Sequence, residues 1–273
     1  MLSTGARRAV RAWTVLVLVF LYAPLLLVVI NAFNASRTFG FPPSGFTLQW
    51  WVYAASSRGM WKSLANSVVV GLGATAIAIV LGTMAAFAVQ RYVFFGRNVV
   101  SFLVVLPITL PGIVTGIALN ATFTSVLGVT LGLATVIVGH ATFCIVIVFN
   151  NTQARLRRLG TSLEDASADL GASPWQTFRY VTFPMMRGAL VAGAILAFAL
   201  SFDEIVVTTF TAGPTVQTLP IWIFGNLFRP NQAPVINVVA AALIVIPVTR
   251  EARIEANVPV PSIVIDFVIV TAP

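Results

Sequence analysis

Residues 162–184 read Ser162-Leu163-Glu164-Asp165-Ala166-Ser167-Ala168-Asp169-Leu170-Gly171-Ala172-Ser173-Pro174-Trp175-Gln176-Thr177-Phe178-Arg179-Tyr180-Val181-Thr182-Phe183-Pro184. The segment is a polar island between long apolar runs, and it carries its own folding instructions. Ser162 with Asp165 three residues later predicts a capped start for a short helix. Gly171 predicts its end, because glycine takes the left-handed conformation without a side-chain penalty. Ser173, Pro174 and Gln176 predict a second start: cap, first-turn proline and reciprocal partner. Pro184 is expected to close the unit, since proline inside a helix removes a backbone hydrogen bond. The expected result is two short helices joined by a tight turn. An amphipathic hairpin lying on a membrane surface would share that local pattern.

The surroundings are apolar. Of 273 residues, 58% are hydrophobic and 9% charged, against about 25% charged in a soluble domain. The runs are long enough to cross a bilayer. A single cysteine, Cys144, excludes a disulfide framework within the chain. The net charge of +8 raises nucleic acid as a partner. In a membrane chain it follows instead from basic cytoplasmic loops, so no nucleic acid is expected.

Spans are predicted at Trp13–Ile30, Leu64–Val89, Val99–Ala121, Val129–Phe149, Gly188–Phe210 and, shorter, Val235–Val248. The first is too long for a signal-peptide core and is expected to remain uncleaved, with its amino end in the cytoplasm. Small residues on the second span (Gly71, Gly73, Ala74, Ala76, Gly82, Ala85) predict close helix packing. In the third, Pro107 and Pro111 free backbone groups that need partners, which predicts a broken helix lining a pathway or a buried kink. This topology puts twelve basic residues on the cytoplasmic side and four outside: Arg37, Arg58, Lys62 and Arg229. The chain divides into 1–62 (tail, first span and external loop), a core at 63–250 and a tail at 251–273. The apolar stretch Val258–Val270 in that tail, interrupted by Pro259, Pro261 and Asp266, is too short to span.

The polar segment resembles the Glu-Ala-Ala loop of type I (MetI-like) ABC-importer permeases. Asp165, Ala166 and Ser167 stand at the Glu-Ala-Ala positions, followed at matching spacings by Gly171, Val181, Phe183 and Pro184. The resemblance covers about residues 63–246. It includes Leu106–Gly112, Ser201–Glu204, Gly213-Pro214 and Thr218–Pro220, which are similar to spermidine/putrescine-type permeases. It implies an all-α membrane protein with six transmembrane helices and a cytoplasmic coupling loop of Glu164, Asp165, Ala166, Ser167, Gly171, Pro174 and Pro184. It also implies a bacterial cytoplasmic-membrane location and partners: a second permease subunit, two ATPase subunits and an extracytoplasmic binding protein. The tail departs from the family, whose members end soon after the sixth helix.

The sequence itself contains no Gly-x-x-x-x-Gly-Lys-Ser/Thr loop, and its one lysine, Lys62, lies in an external loop. ATP and magnesium are therefore expected on a partner subunit, with no cofactor on this chain and no enzyme activity of its own. One histidine and no Gly-x-Ser-x-Gly elbow argue against a hydrolase. Asp203 and Glu204 are acids within a predicted span, where a charge usually faces a cavity or a partner. They are expected either to meet a cationic substrate or to pair with Arg229 or another subunit. Pro107, Pro111 and Trp222 join them as candidate pathway residues, the indole adding about 0.5–2 kcal/mol of cation–π attraction. His140 is either bonded to a neighbouring helix or part of a relay. A proton-coupled carrier using Asp203, Glu204 and His140 is the rival reading, but such a carrier has no need of the helical hairpin.

The orientation is testable. With Cys144 replaced, a cysteine at Ser44 should react with an impermeant thiol reagent applied outside intact cells, and one at Thr161 should not. Reversed labelling would overturn the topology.

Overall fold

The computed structural model describes residues 3–229 and 232–257, with side chains described as far as Val245. The described residues up to Ser57 and from Ile223 onward form one compact unit, and Arg58–Trp222 form another. Among the described residues there are helices and a single isolated bridge, Asn34–Phe46, but no strand.

In the first unit, α1 (Thr4–Asn31) is a long apolar helix whose side chains are largely exposed. The loop after it is organised by two buried asparagines. Asn34 Oδ1 accepts from the Ser36 and Ser44 backbone N–H groups, and Asn31 Oδ1 accepts from Gly40. α2 (Gln49–Ser56) follows. Trp50 donates its indole N–H to the Asn34 carbonyl at 3.0 Å, and Trp51 packs on Phe33 at 5.2 Å. These tryptophans hold the loop together.

The second unit is built on three long helical stretches. α3 (Arg58–Arg91) packs along α6 (Leu133–Leu159), and both pack against α9 (Phe183–Phe202). α3 supplies a stripe of small buried residues, Gly71, Ala74, Ala78, Gly82 and Ala86. Their spacing of three or four keeps them on one face. Ala76, expected on that face, is exposed, because it lies about 200° around the helix from Ala74. The stripe permits very close contact: a Cβ at Gly82 would stand 2.9 Å from the Ile145 carbonyl, and one at Gly71 2.8 Å from the Phe198 ring.

Two predicted spans are not continuous. The third is α4 (Arg97–Thr109) and α5 (Gly112–Ala121), bent by 105° at Leu110–Pro111. The expected break is present, and it falls at Pro111; Pro107 lies within α4. A π turn (Thr122–Val126) and Gly128, at φ +62°, end this run.

The fifth predicted span, expected as one helix to Phe210, ends earlier. α9 stops at Phe202, and α10 (Val206–Thr211) starts after a turn at 203–205. α11 (Leu219–Leu227) and α12 (Ala233–Asn257) complete the described chain. Among the described residues, four unbroken helical runs are long and apolar enough to cross a membrane, and the bent α4–α5 pair makes a fifth. The sixth span expected at Val235–Val248 falls in α12, of which the described apolar part, Ala233–Val245, is by itself shorter than a span. The expected stretch Val258–Val270 lies outside the described residues.

The α3–α6 contact makes a stability prediction. Gly82→Ala should force the two backbones apart and destabilise the purified protein by about 1–3 kcal/mol. Gly188→Ala, where a Cβ meets nothing within 4 Å, should not. Equal thermal stability of the two variants would show that the close approach is not tight.

Candidate functional site

Two places in the second unit carry functional groups. The first is the hairpin formed by α7 (Ser162–Asp169) and α8 (Pro174–Thr177). Gly171 has φ +81°, the left-handed conformation expected at the turn. Ser173 and Gln176 form the reciprocal cap: Ser173 N–H donates to Gln176 Oε1 at 2.8 Å, and Gln176 N–H to Ser173 Oγ at 3.4 Å. Pro174 is at the first position of α8, as expected.

Two expectations need correcting. Ser162 does not cap α7; the cap position is Thr161, without a side-chain hydrogen bond. Pro184 does not close the unit. It lies at the start of α9, which continues without interruption from α8 through a π turn at Phe178–Thr182. Proline is tolerated in the first turn of a helix, and the wider π turn before it absorbs the break in the ladder.

The acid that anchors the hairpin is Glu164. Its Oε1 lies 3.0 Å from Arg91 Nη2 at the end of α3 and accepts from Thr182 Oγ1 at 2.9 Å. Arg91 also donates to the Gly160 carbonyl at 2.8 Å. The ends of α3 and α6 and the start of α9 thereby meet at one polar junction. Arg91 and Thr182 did not stand out in the sequence. Asp165, at the Glu position of the resemblance, is exposed. It borders a cleft of about 570 Å³, together with Phe87, Arg91, Glu164, Pro174 and Phe178. Ala166 is exposed, and Ser167 shares a 3.0 Å hydrogen bond with Thr177 across the hairpin. Leu170 and Trp175 project outward, 89% and 69% exposed.

The second place is where the two broken helices meet. α5 packs on α10. A Cβ at Gly112, the first residue of α5, would touch Val206 at 3.6 Å, so the break at Leu110–Pro111 abuts the one at 203–205. Asp203 caps the carboxyl end of α9 through its backbone, and its side chain is exposed. Glu204 is half-buried, and its carboxylate accepts the Val207 N–H at 2.8 Å at the amino end of α10. Neither acid forms an ion pair within this unit. The carboxyl end of α10 is also served by side chains. Asn120 Nδ2 donates to the Phe210 carbonyl at 2.6 Å, and Thr135 Oγ1 to that of Thr211 at 2.7 Å.

His140 is fully buried on α6 beside this break. Nδ1 lies 2.7 Å from Ser201 Oγ and Nε2 lies 2.8 Å from Thr208 Oγ1, and Thr208 donates to the Glu204 carbonyl at 2.8 Å. The chain leaving His140 ends on a carbonyl, which does not titrate, and not on a carboxylate. Of its two expected readings, the histidine bonded to a neighbouring helix is the one observed. Trp222 is elsewhere, in α11 with its Nε1 beside Gly59, and only 7% of its surface is exposed. Its ring offers little face to a passing cation, contrary to expectation. Among the described residues no three His, Cys, Asp or Glu side chains gather as metal ligands.

Comparison with known proteins agrees with this architecture. The family model for the binding-protein-dependent transport system inner membrane component matches residues 78–250. The putrescine transport system permease protein PotI of Escherichia coli K12 is 33% identical over 242 residues, covering 85% of each chain. The spermidine/putrescine transport system permease protein PotC of the same strain is 31% identical over 227 residues, covering 83% of this chain and 85% of its own. In fold, a chain of the crystal structure of a bacterial ABC transporter that imports the acidic polysaccharide alginate aligns with a TM-score of 0.68 at 16% identity, covering 93% of this chain and 99% of that one. The chain belongs to the binding-protein-dependent transport system inner membrane component family, and is a multi-pass inner-membrane permease subunit of an ABC importer.

Proposed function

We propose that this subunit carries polyamines or a similar small organic cation, with Asp203 as the acid that meets the substrate. The observation that carries the reading is the position of Asp203, exposed at the carboxyl end of a helix that stops beside a second helix break. The last carbonyls of a helix hold about half a negative charge, and a carboxylate beside them adds a full one. A cation shedding water is drawn to both, and discontinuous helices offer cations this kind of backbone in transporters. Glu204 is committed to the α10 cap and serves structure. The relatives named for putrescine and spermidine/putrescine favour the same substrate class.

In this reading six spans form the membrane part, with the amino terminus in the cytoplasm and α12 contributing the sixth. A second permease subunit, two ATPase subunits that bind ATP and magnesium, and an extracytoplasmic binding protein complete the importer. The α7–α8 hairpin, with Asp165, Ala166, Gly171, Leu170 and Trp175 outward, docks on an ATPase subunit. Glu164 and Arg91 pass its displacement to α3, α6 and α9.

Two outcomes test this. Gly171→Glu forces a side chain onto a left-handed residue, at a cost of about 1–2 kcal/mol, and should leave the subunit in the membrane while uncoupling uptake from ATP hydrolysis. Normal uptake in that variant would remove the coupling role. Asp203→Asn should lower putrescine uptake by reconstituted transporter roughly tenfold or more, with assembly and basal ATPase intact. Glu204→Gln should stay within about threefold, because an amide oxygen still accepts the Val207 N–H. Undiminished transport by Asp203→Asn would sink the cation site.

A further inference from the structure

We propose that His140 is a positioning residue for this site, a single-tautomer imidazole that fixes the helix break at Asp203–Ile205; the inference rests on the cation reading above. The direction of each proton in the network can be worked out. The Glu204 carbonyl can only accept, so the one hydroxyl proton of Thr208 is committed to it. Thr208 Oγ1 must then accept from His140, which places the imidazole proton on Nε2. Nδ1 is left bare and accepts the Ser201 hydroxyl proton. One side chain of α6 therefore holds the last turn of α9 on one ring edge and α10 on the other. Asp203 lies two residues beyond Ser201 and directly precedes Glu204, whose carbonyl Thr208 holds. The network sets the distance between the α9 terminus and the capped start of α10, and so the place where the Asp203 carboxylate stands. Both bonds of the imidazole are buried, where a lost partner leaves an unsatisfied group and the break loses its single geometry.

Two measurements on the assembled transporter test this. His140 is the only histidine of the chain, so ¹⁵N-histidine labelling of this subunit alone reads its ring directly. The Nε2–H tautomer should dominate in the wild type, and Thr208→Val should abolish that dominance. A prevailing Nδ1–H tautomer, or no response to Thr208→Val, overturns the network. In proteoliposomes, His140→Asn and Thr208→Val should raise KM for putrescine about tenfold, with assembled complex and basal ATPase little changed. His140→Gln, whose amide nitrogen reaches the Nε2 place, and Thr208→Ser should return KM to within about threefold of wild type. Unchanged KM, absent rescue, or loss of assembly alone makes His140 merely structural and overturns the proposal. Asp203→Asn is measured alongside. If it raises KM while His140→Asn does not, positioning fails and the cation site stands; if neither does, both fail.

Discussion

Ending a helix inside a packed apolar bundle leaves backbone groups that water cannot readily reach, and this constraint shapes the second unit. Each orphaned N–H or carbonyl there costs several kcal/mol unless protein satisfies it. α10 has six residues, too few to stand alone as a helix. It persists because side chains serve both ends: Glu204 at the amino end, Asn120 and Thr135 at the carboxyl end. The donors come from α5 and α6, so the broken segment is stable only in this company. The small-residue stripe of α3 does related work, since close backbones bring α6 near enough for its polar groups to reach α9 and α10.

The hairpin meets a different demand. In the proposed coupling role it must be rigid toward the membrane helices and free toward a partner. Glu164 supplies the rigid side: one carboxylate oxygen joins the ends of three long helices through Arg91 and Thr182. The half-buried position of this pair, 14% and 24% exposed, shields it more than a surface ion pair, whose value is about 0–1 kcal/mol. The opposite side carries exposed Leu170 and Trp175. Large apolar side chains on a short polar hairpin are what a docking surface supplies.

Much of this was legible in the chain because it is local. Ser173, Pro174, Gln176 and Gly171 fall within six consecutive residues, and the structure shows each in its expected role. Apolar runs located the long helices for the same reason. What failed was local evidence read without its neighbours. Pro184 looked like a stop, but the π turn before it let the helix continue. The apolar run to Phe210 hid the end of α9, because Val206–Phe210 is as apolar as a span; the interruption is made by the acids themselves. The Ser201 and Thr208 partners of His140 lie 61 and 68 residues away in sequence. Nothing in a single run of residues reports such a pairing, and hydroxyls inside apolar helices were the only trace.

The division of labour between the two adjacent acids follows from helix polarity. Asp203 follows the carboxyl end of α9, where the dipole is negative and a carboxylate is unfavourable for folding by a few tenths to about 1 kcal/mol. Glu204 precedes the amino end of α10, where the dipole is positive and a carboxylate is stabilised and hydrogen-bonded. One residue is in a place that stability would choose, and its neighbour is in a place that stability would avoid. A residue kept against its local preference is a stronger pointer to function than one that caps a helix. An anionic solute would meet the same two negative sources and be repelled by both. In the proposed role, the break sorts by charge before any side chain of the substrate is recognised.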